Sequence, residues 1–375
     1  MHTRPILVFG QFSREDLDVI NDAAEESACT LSHASSIEQA LGWLDEHEAH
    51  GLLCHSEDSE LLAVQTRSRA GLSRLPVLTL SKSLTDLDFA SALSWGADDV
   101  VPLGSLRPLI TRLRALPKEP PTAPVEKRGT ALVAESDRVR RTTVARVLRN
   151  AGFALRFAVT PDDTEHFAAD PALSLVVISK ELLPSPLENI ESARAAGSNA
   201  NFVVCSPPRD IKHDRAALHG LAGVTVTDSF AAPENVLFVA NELGGGRTNN
   251  RKSARIPYGV RVAFRGAGRD SDEHGYSYNV SERGIYVRTL APPEDDEAWV
   301  ELSPPRVERV VRLVGRVAWR RPFNYNESAT VPPGFGVEII DGAAKDRALW
   351  VEGYVRLAET VGASKLPDGA AFPGF

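Results

Sequence analysis

The residues best suited to chemistry lie in one stretch, Arg251 to Gly284. It opens with Arg251-Lys252-Ser253-Ala254-Arg255 and closes with Asn279-Val280-Ser281-Glu282-Arg283-Gly284. Two arginines four residues apart suit an anionic, planar ligand. A guanidinium grips a pair of phosphate oxygens through charge-assisted bonds, meets the O6 and N7 acceptors of guanine with two parallel donors, and stacks on purine faces. Asn279 can both accept and donate through its amide, and Ser281 can donate a hydroxyl hydrogen bond. Gly284 suits a turn with positive φ or a close approach of backbone to ligand. Arg247, Lys252 and Arg283 are further candidates, and Arg247 with Arg251 forms an overlapping RxxxR. From Arg247 to Arg288 there are nine Lys/Arg against four Asp/Glu, a basic island in a chain whose net charge is −8. An island of that size fits a small anion better than a long nucleic acid.

The order RxxxR and then NxSxxG, about one strand later, resembles the PilZ domain. The resemblance covers roughly the last third of the chain. It implies a six-stranded β-barrel with a C-terminal helix that binds cyclic di-GMP, with Arg251, Arg255, Asn279, Ser281 and Gly284 as ligand residues. The periodicity after the arginines agrees: Val260, Val262 and Phe264 alternate with polar residues, as do Ile285 and Val287. Short runs follow at Trp299–Leu302, Arg309–Trp319 and Gly336–Ile340, separated by Gly/Pro turns, which is an all-β pattern. Between the two half-motifs the sequence reads as one strand and a polar loop. Trp319 and Gly334-Phe335-Gly336-Val337-Glu338 look like the family's last two strands. Asp346 to Leu357 is a closing helix with Leu349, Trp350, Tyr354 and Leu357 on one face. Trp319 and Trp350 are read as core residues.

The elements that precede this stretch alternate strand and helix. Residues 1–116 hold short apolar strands at Ile6–Phe9, Gly51–Cys54 and Pro76–Leu80, with amphipathic helices between them. Unalternated apolar runs fit strands buried on both faces of a parallel sheet. The order, and the Gly96-Ala97-Asp98-Asp99 run, resembles the receiver domain of response regulators. Residues 117–128 are a linker with four prolines, extended and semi-rigid. Residues 129–243 repeat the pattern, with strands at Leu175–Ile178 and Phe202–Cys205 and a helix that stops at Gly152. The fold expected is therefore two flavodoxin-like domains, a Gly-rich hinge at 244–250, a barrel at 251–358, and a disordered tail at 359–375.

Neither receiver keeps the family's full phosphotransfer set, although Ser81 and Ser206 match the hydroxyl residue after the fourth strand. In the first, Gly10-Gln11 stand where an acidic pair belongs and His55 takes the phospho-acceptor position. In the second, Glu135-Ser136 keeps one acid, Ser179 stands at the acceptor position and Asp228 where a lysine belongs. Acyl-phosphate formation needs a carboxylate nucleophile and a metal, so both read as pseudo-receivers whose surfaces dock protein partners. His55 reads as a surface or edge residue.

No nucleophile–base set, phosphate-cradling glycine loop or metal cluster is apparent, so no enzyme is expected. Cys29, Cys54 and Cys205 lack metal spacing, and three widely spaced cysteines in a chain with no apolar leader fit a reducing cytoplasm. No cofactor, DNA or membrane insertion is expected, and a homodimer is left open. The reading is a cytoplasmic bacterial cyclic di-GMP effector acting on motility or surface behaviour. The alternative is a scaffold whose barrel no longer binds the ligand. A nucleic-acid binder is a third reading, with salt-steep affinity as its mark.

Overall fold

A computed structural model describes residues 4–118, 128–183, 185–229, 233–244, 253–266, 271–324 and 331–360. The chain divides into two compact units. The first comprises residues 1–248 with two short segments, 289–291 and 321–333; the second takes the remainder from residue 249.

The first unit holds two parallel α/β sheets. One is built from β1 (Arg4–Phe9), β2 (Cys29–Ala34), β3 (Gly51–His55), β4 (Val77–Ser81) and β5 (Asp99–Pro102). Helices α1 (Arg14–Glu26), α2 (Ile37–Glu46), α3 (Ser59–Ser68), α4 (Asp86–Trp95) and α5 (Leu106–Ala115) alternate with them. Every residue of β3 and β4 is buried, as continuous apolar runs between two helical layers require. Helix starts are written locally: Ser13 and Thr85 each accept from a backbone N–H three residues on, and Asp16 and Asp88 return the bond, closing capping boxes. The second sheet has β6 (Thr130–Ala134), β7 (Ala154–Ala158), β8 (Leu173–Ser179), β9 (Asn201–Ser206) and β10 (Val224–Asp228). Its helices are α6 (Arg138–Asn150), α7 (Pro161–Ala168), α8 (Pro186–Ala195), α9 (Ile211–Ala217) and α10 (Glu234–Gly244). The strand orders are β2-β1-β3-β4-β5 and β7-β6-β8-β9-β10, one topology used twice, and it is the flavodoxin-like order. The edge strands β2 and β7 were not among the strands expected from sequence. Both are half exposed, so neither shows a continuous apolar run.

The Gly96-Ala97-Asp98-Asp99 run has a structural task. Gly96 ends α4 in the left-handed region at φ 102°, where glycine carries no Cβ penalty. Arg67, buried in α3, donates from Nε to the Gly96 carbonyl at 2.8 Å and from Nη2 to Asp98 at 2.7 Å. The same carboxylate accepts from the Val77 N–H at 2.9 Å and from Arg146 of α6. Arg146 also lies 3.6 Å from Glu234 of α10. Two arginines and two acids, none more than 7 % exposed, thus join α3 of the first sheet to α6 of the second. Burial pulls the Arg67 guanidinium down to about 10, and the neighbouring Arg146 charge adds to the fall, against the pull of Asp98.

The second unit is a closed antiparallel barrel. Its strands are β11 (Ile256–Pro257), β12 (Arg261–Gly266), β13 (Glu273–Ser281), β14 (Gly284–Arg288), β15 (Glu297–Leu302), β16 (Val311–Arg321) and β17 (Gly334–Gly342), followed by α11 (Ala344–Thr360). Six strands run β13-β12-β15-β16-β17-β14, and β14 pairs back onto β13 to close the ring; β11 adds two residues to β13. Between the half-motifs there are therefore β11, β12 and β13, rather than one strand and a loop. The polar β13 sequence, Glu-His-Gly-Tyr-Ser-Tyr-Asn-Val-Ser, hides a strand. The core is Val262, Phe264, Val280, Ile285, Val287, Leu313 and Phe335 with their neighbours, and Trp350, Tyr354 and Ala358 of α11 pack into it. Full burial of each such side chain is worth ~1.5–3 kcal/mol. Among the described residues no helix is long and apolar enough to cross a membrane.

Candidate ligand-binding site

The site grows from the hairpin that joins β13 to β14. Ser281 pairs with Gly284 across a two-residue connection, Glu282-Arg283. Three hydrogen bonds hold this turn. The Ser281 hydroxyl donates to the Gly284 carbonyl at 3.3 Å, the Ile339 N–H donates to the Arg283 carbonyl at 2.9 Å, and the Trp350 indole donates to the Glu282 carbonyl at 2.9 Å. With its backbone fixed on three sides, the turn leaves the Arg283 side chain exposed.

Gly284 does not have positive φ. Its lack of a side chain serves close approach instead: a Cβ there would run into the Val337 carbonyl of β17, with which β14 is paired. A side chain at 284 would push the closing strand away from the turn.

The arm that carries Arg255 enters the barrel through β11, where Ile256 pairs with Val280 and Pro257 with Asn279. The Tyr354 hydroxyl of α11 donates to the Ala254 carbonyl at 3.0 Å. Burial pushes the Tyr354 phenol up, which keeps the donor protonated. One helix therefore holds both the arm and the turn, through Tyr354 and Trp350.

A surface cavity results, lined by Arg255, Asn279, Ser281, Arg283 and Gly284 together with Tyr286, Ala318, Trp319, Gly336 and Glu338. Residues far apart in sequence are thus gathered on one face. Asn279 is only 6 % exposed, while Arg255 and Arg283 are exposed. Arg247, Arg251 and Lys252 lie outside the described residues, as do most of the Gly-rich stretch 244–250 and residues 361–375 of the expected tail.

Trp319 departs from its reading as a core residue. It is partly exposed and lines the cavity, stacked on Tyr286 with ring centroids 4.8 Å apart and planes at 21°. Gly336 makes room for it, since a Cβ at 336 would strike the indole. Glu338 is the other residue that sequence reasoning passed over. Its carboxylate accepts from Arg316 at 2.6 Å. That hydrogen bond and the Arg316 charge hold the Glu338 carboxyl below the usual carboxylate range.

His55 and Ser179, the residues that the resemblance sets at phospho-acceptor positions, end β3 and β8. His55 is 3 % exposed, not a surface residue. Its ring meets Phe12 edge-on at 5.3 Å, and its Nδ1 accepts from the Glu57 N–H at 3.3 Å. Gly10 packs so close that a Cβ there would collide with His55. Ser179 is 6 % exposed and pairs with Cys205 in the neighbouring strand. Close to that end of the sheet, the one remaining acid, Glu135, is paired with Arg140 at 3.0 Å. Burial pushes the Cys205 thiol up to about 11, against the opposing effect of Arg140. Among the described residues no group of three or more His, Cys, Asp or Glu is placed to hold a metal ion.

Comparison with known proteins bears on the barrel. Residues 249–353 match the model of the PilZ domain. Among solved structures, the chain is similar to the Bacillus subtilis inhibitor of motility (MotI/DgrA), at 18% identity, over 30% of this chain and 52% of that one, with a TM-score of 0.23. It is similar to the PilZ domain of CeSA from a cellulose synthesizing bacterium at 18% identity, over 29% of this chain and 99% of that one, with a TM-score of 0.21. It is similar to a putative two-component system response regulator/ggdef domain protein at 16% identity, over 65% of this chain and 99% of that one, with a TM-score of 0.30. The chain therefore spans about half the length of the motility inhibitor. No curated protein matches it. The closed six-stranded barrel, its packed C-terminal helix and the family match agree, and residues 249–353 are a PilZ domain that follows two parallel sheets of flavodoxin-like order.

Proposed function

We propose that this protein is a bacterial cyclic di-GMP effector, without catalytic activity of its own, in which the barrel senses the dinucleotide and the two receiver-like sheets dock protein partners. The observation that carries the reading is convergence. Arg255 from the arm and Asn279, Ser281, Arg283 and Gly284 from the hairpin line a single cavity. An exposed cation pair offers phosphate and guanine contacts, and the partly exposed Trp319 offers a stacking face, which suits bases of any sequence. Arg251, Arg247 and Lys252, outside the described residues, are further candidate ligand residues from sequence.

The receivers serve as docking surfaces and not as phosphate relays. His55 supplies an imidazole where a carboxylate nucleophile is needed, and it is packed under Phe12 and Gly10. At Ser179 the nucleophile is a hydroxyl, and the remaining acid is already neutralised by Arg140. Neither arrangement supports acyl-phosphate chemistry. The compartment is the cytoplasm, where the second messenger is found, and the output is motility or surface behaviour.

Isothermal titration of the full chain with cyclic di-GMP tests the reading, with GTP and cyclic AMP as controls. A selective isotherm at micromolar affinity or tighter is the expected result. A flat trace at high protein concentration would overturn it in favour of a scaffold with an empty barrel.

A further inference from the structure

Glu338 has no place in the motif that defines the site, yet it stands in the cavity. It is directly across the strand pair from Gly284, so no side chain at 284 comes between it and a ligand. Its Oε2 accepts from Arg316; among the described residues no partner is recorded for Oε1. At 45 % side-chain exposure the group is reachable from solvent.

We infer that Glu338 is a specificity-determining residue that reads the Watson–Crick edge of a guanine held against Trp319. The inference rests on the cyclic di-GMP reading above and assigns the base selectivity of that same site. Guanine presents N1–H and N2–H side by side, two donors directed the same way. A carboxylate has two acceptor oxygens and no donor, so it takes that pair as a fork. Adenine presents a bare N1 lone pair beside N6–H, and a carboxylate facing it meets one acceptor with another. The site therefore admits guanine and disfavours adenine.

An acid in a pocket for a dianionic ligand needs justification. Arg255 and Arg283 line the same cavity, and Arg316 is paired with the carboxylate at 2.6 Å. The cavity thus remains net positive with Glu338 ionised, and the ligand's charged and uncharged ends are sorted. Phosphates face the arginines; the base edge, which carries no charge, faces the acid. Arg316 also fixes the carboxylate in one orientation, so less rotamer freedom is lost on binding.

The test compares cyclic di-GMP, cyclic di-AMP and the inosine analogue cyclic di-IMP, which lacks the 2-amino group, by titration into the full chain. The wild type is expected to prefer cyclic di-GMP over both. In Glu338→Ala the preference over cyclic di-AMP should shrink by about 5- to 150-fold, the range for one lost bidentate contact to a base, and cyclic di-IMP should bind as well as cyclic di-GMP. Glu338→Gln, which keeps the shape but turns a donor toward guanine, should lose the same discrimination. The pair with Arg316 is exposed, and exposed pairs contribute little to stability, so both variants should unfold near the wild-type temperature. If the wild type binds cyclic di-GMP and Glu338→Ala keeps the wild-type ratios among the three ligands, Glu338 is an ordinary surface acid and the inference is wrong. If the wild type binds none of them, the cyclic di-GMP reading itself fails, and this inference fails with it.

Discussion

Two pairs of arginines, Arg67 with Arg146 in the first unit and Arg255 with Arg283 in the barrel unit, are used in opposite ways. In the first unit Arg67 is completely buried and its donors go to the chain's own Gly96 carbonyl, Ser73 carbonyl and Asp98 carboxylate. Arg146 is directed the same way, between Asp98 and Glu234. In the barrel unit Arg255 and Arg283 stand exposed around a cavity. Buried, a guanidinium has a desolvation cost that only a fixed set of acceptors offsets, so it locks structure. Exposed, it keeps its contact with solvent and stays within reach of a ligand. The same side chain is a fastening in one place and a hand in the other, and burial decides which.

The largest effect should come from breaking the fastening. Asp98→Ala leaves Arg67 and Arg146 buried beside each other without the acid between them, and removal of one partner from a buried pair costs about 3–5 kcal/mol. Urea unfolding should show that loss as a lower midpoint; an unchanged midpoint would mean that the two sheets do not depend on the network. A smaller effect, and of another kind, should come from the cavity. Arg255→Ala should weaken cyclic di-GMP binding by about 1–3 kcal/mol while leaving the unfolding midpoint nearly in place, because the side chain is exposed and exposed pairs contribute little to stability. A loss of stability without loss of affinity would reverse the assignment. The smallest effect concerns Arg140, which lies between the two extremes, with 22 % of its side chain exposed and paired with Glu135. Acetyl phosphate should add no phosphoryl mass to the wild type, and Arg140→Ala should not restore uptake, since Ser179 is still no carboxylate. A phosphorylated species in the wild-type mass spectrum would overturn the proposal that the two sheets only dock partners.

Much of the frame was legible in sequence, for reasons that also explain what was not. β3 and β4 are buried on both faces, and Gly51–Cys54 and Pro76–Leu80 read as strands because they are apolar apart from Thr79. β2 and β7 run along sheet edges, and their sequences, Cys-Thr-Leu-Ser-His-Ala and Ala-Leu-Arg-Phe-Ala, carry no such signal. β13 was mistaken for a loop because its residues are mostly polar; the tyrosines and asparagine it carries are buried by neighbours on the barrel's outer side, not by the core. Within the site, Asn279, Ser281 and Gly284 stand close in sequence and announced themselves. Trp319 and Glu338 come from β16 and β17 and reach the hairpin only when β17 pairs with β14. Spacing along the chain holds no trace of that closure. The period-two pattern placed Trp319 in the core, and the structure has it against Tyr286 instead. His55 was misjudged for a related reason: polarity suggested the surface, while the strand end is covered by Phe12.

The bonds from α11 to the site have a consequence for how the protein is made. Tyr354 and Trp350 secure the arm at Ala254 and the turn at Glu282, yet they are translated about a hundred residues after the arm. Domains fold from the N-terminal side as synthesis proceeds, so the two parallel sheets can be complete while the barrel is still unfinished. On a ribosome-bound chain the cavity would be assembled only when the last helix has emerged.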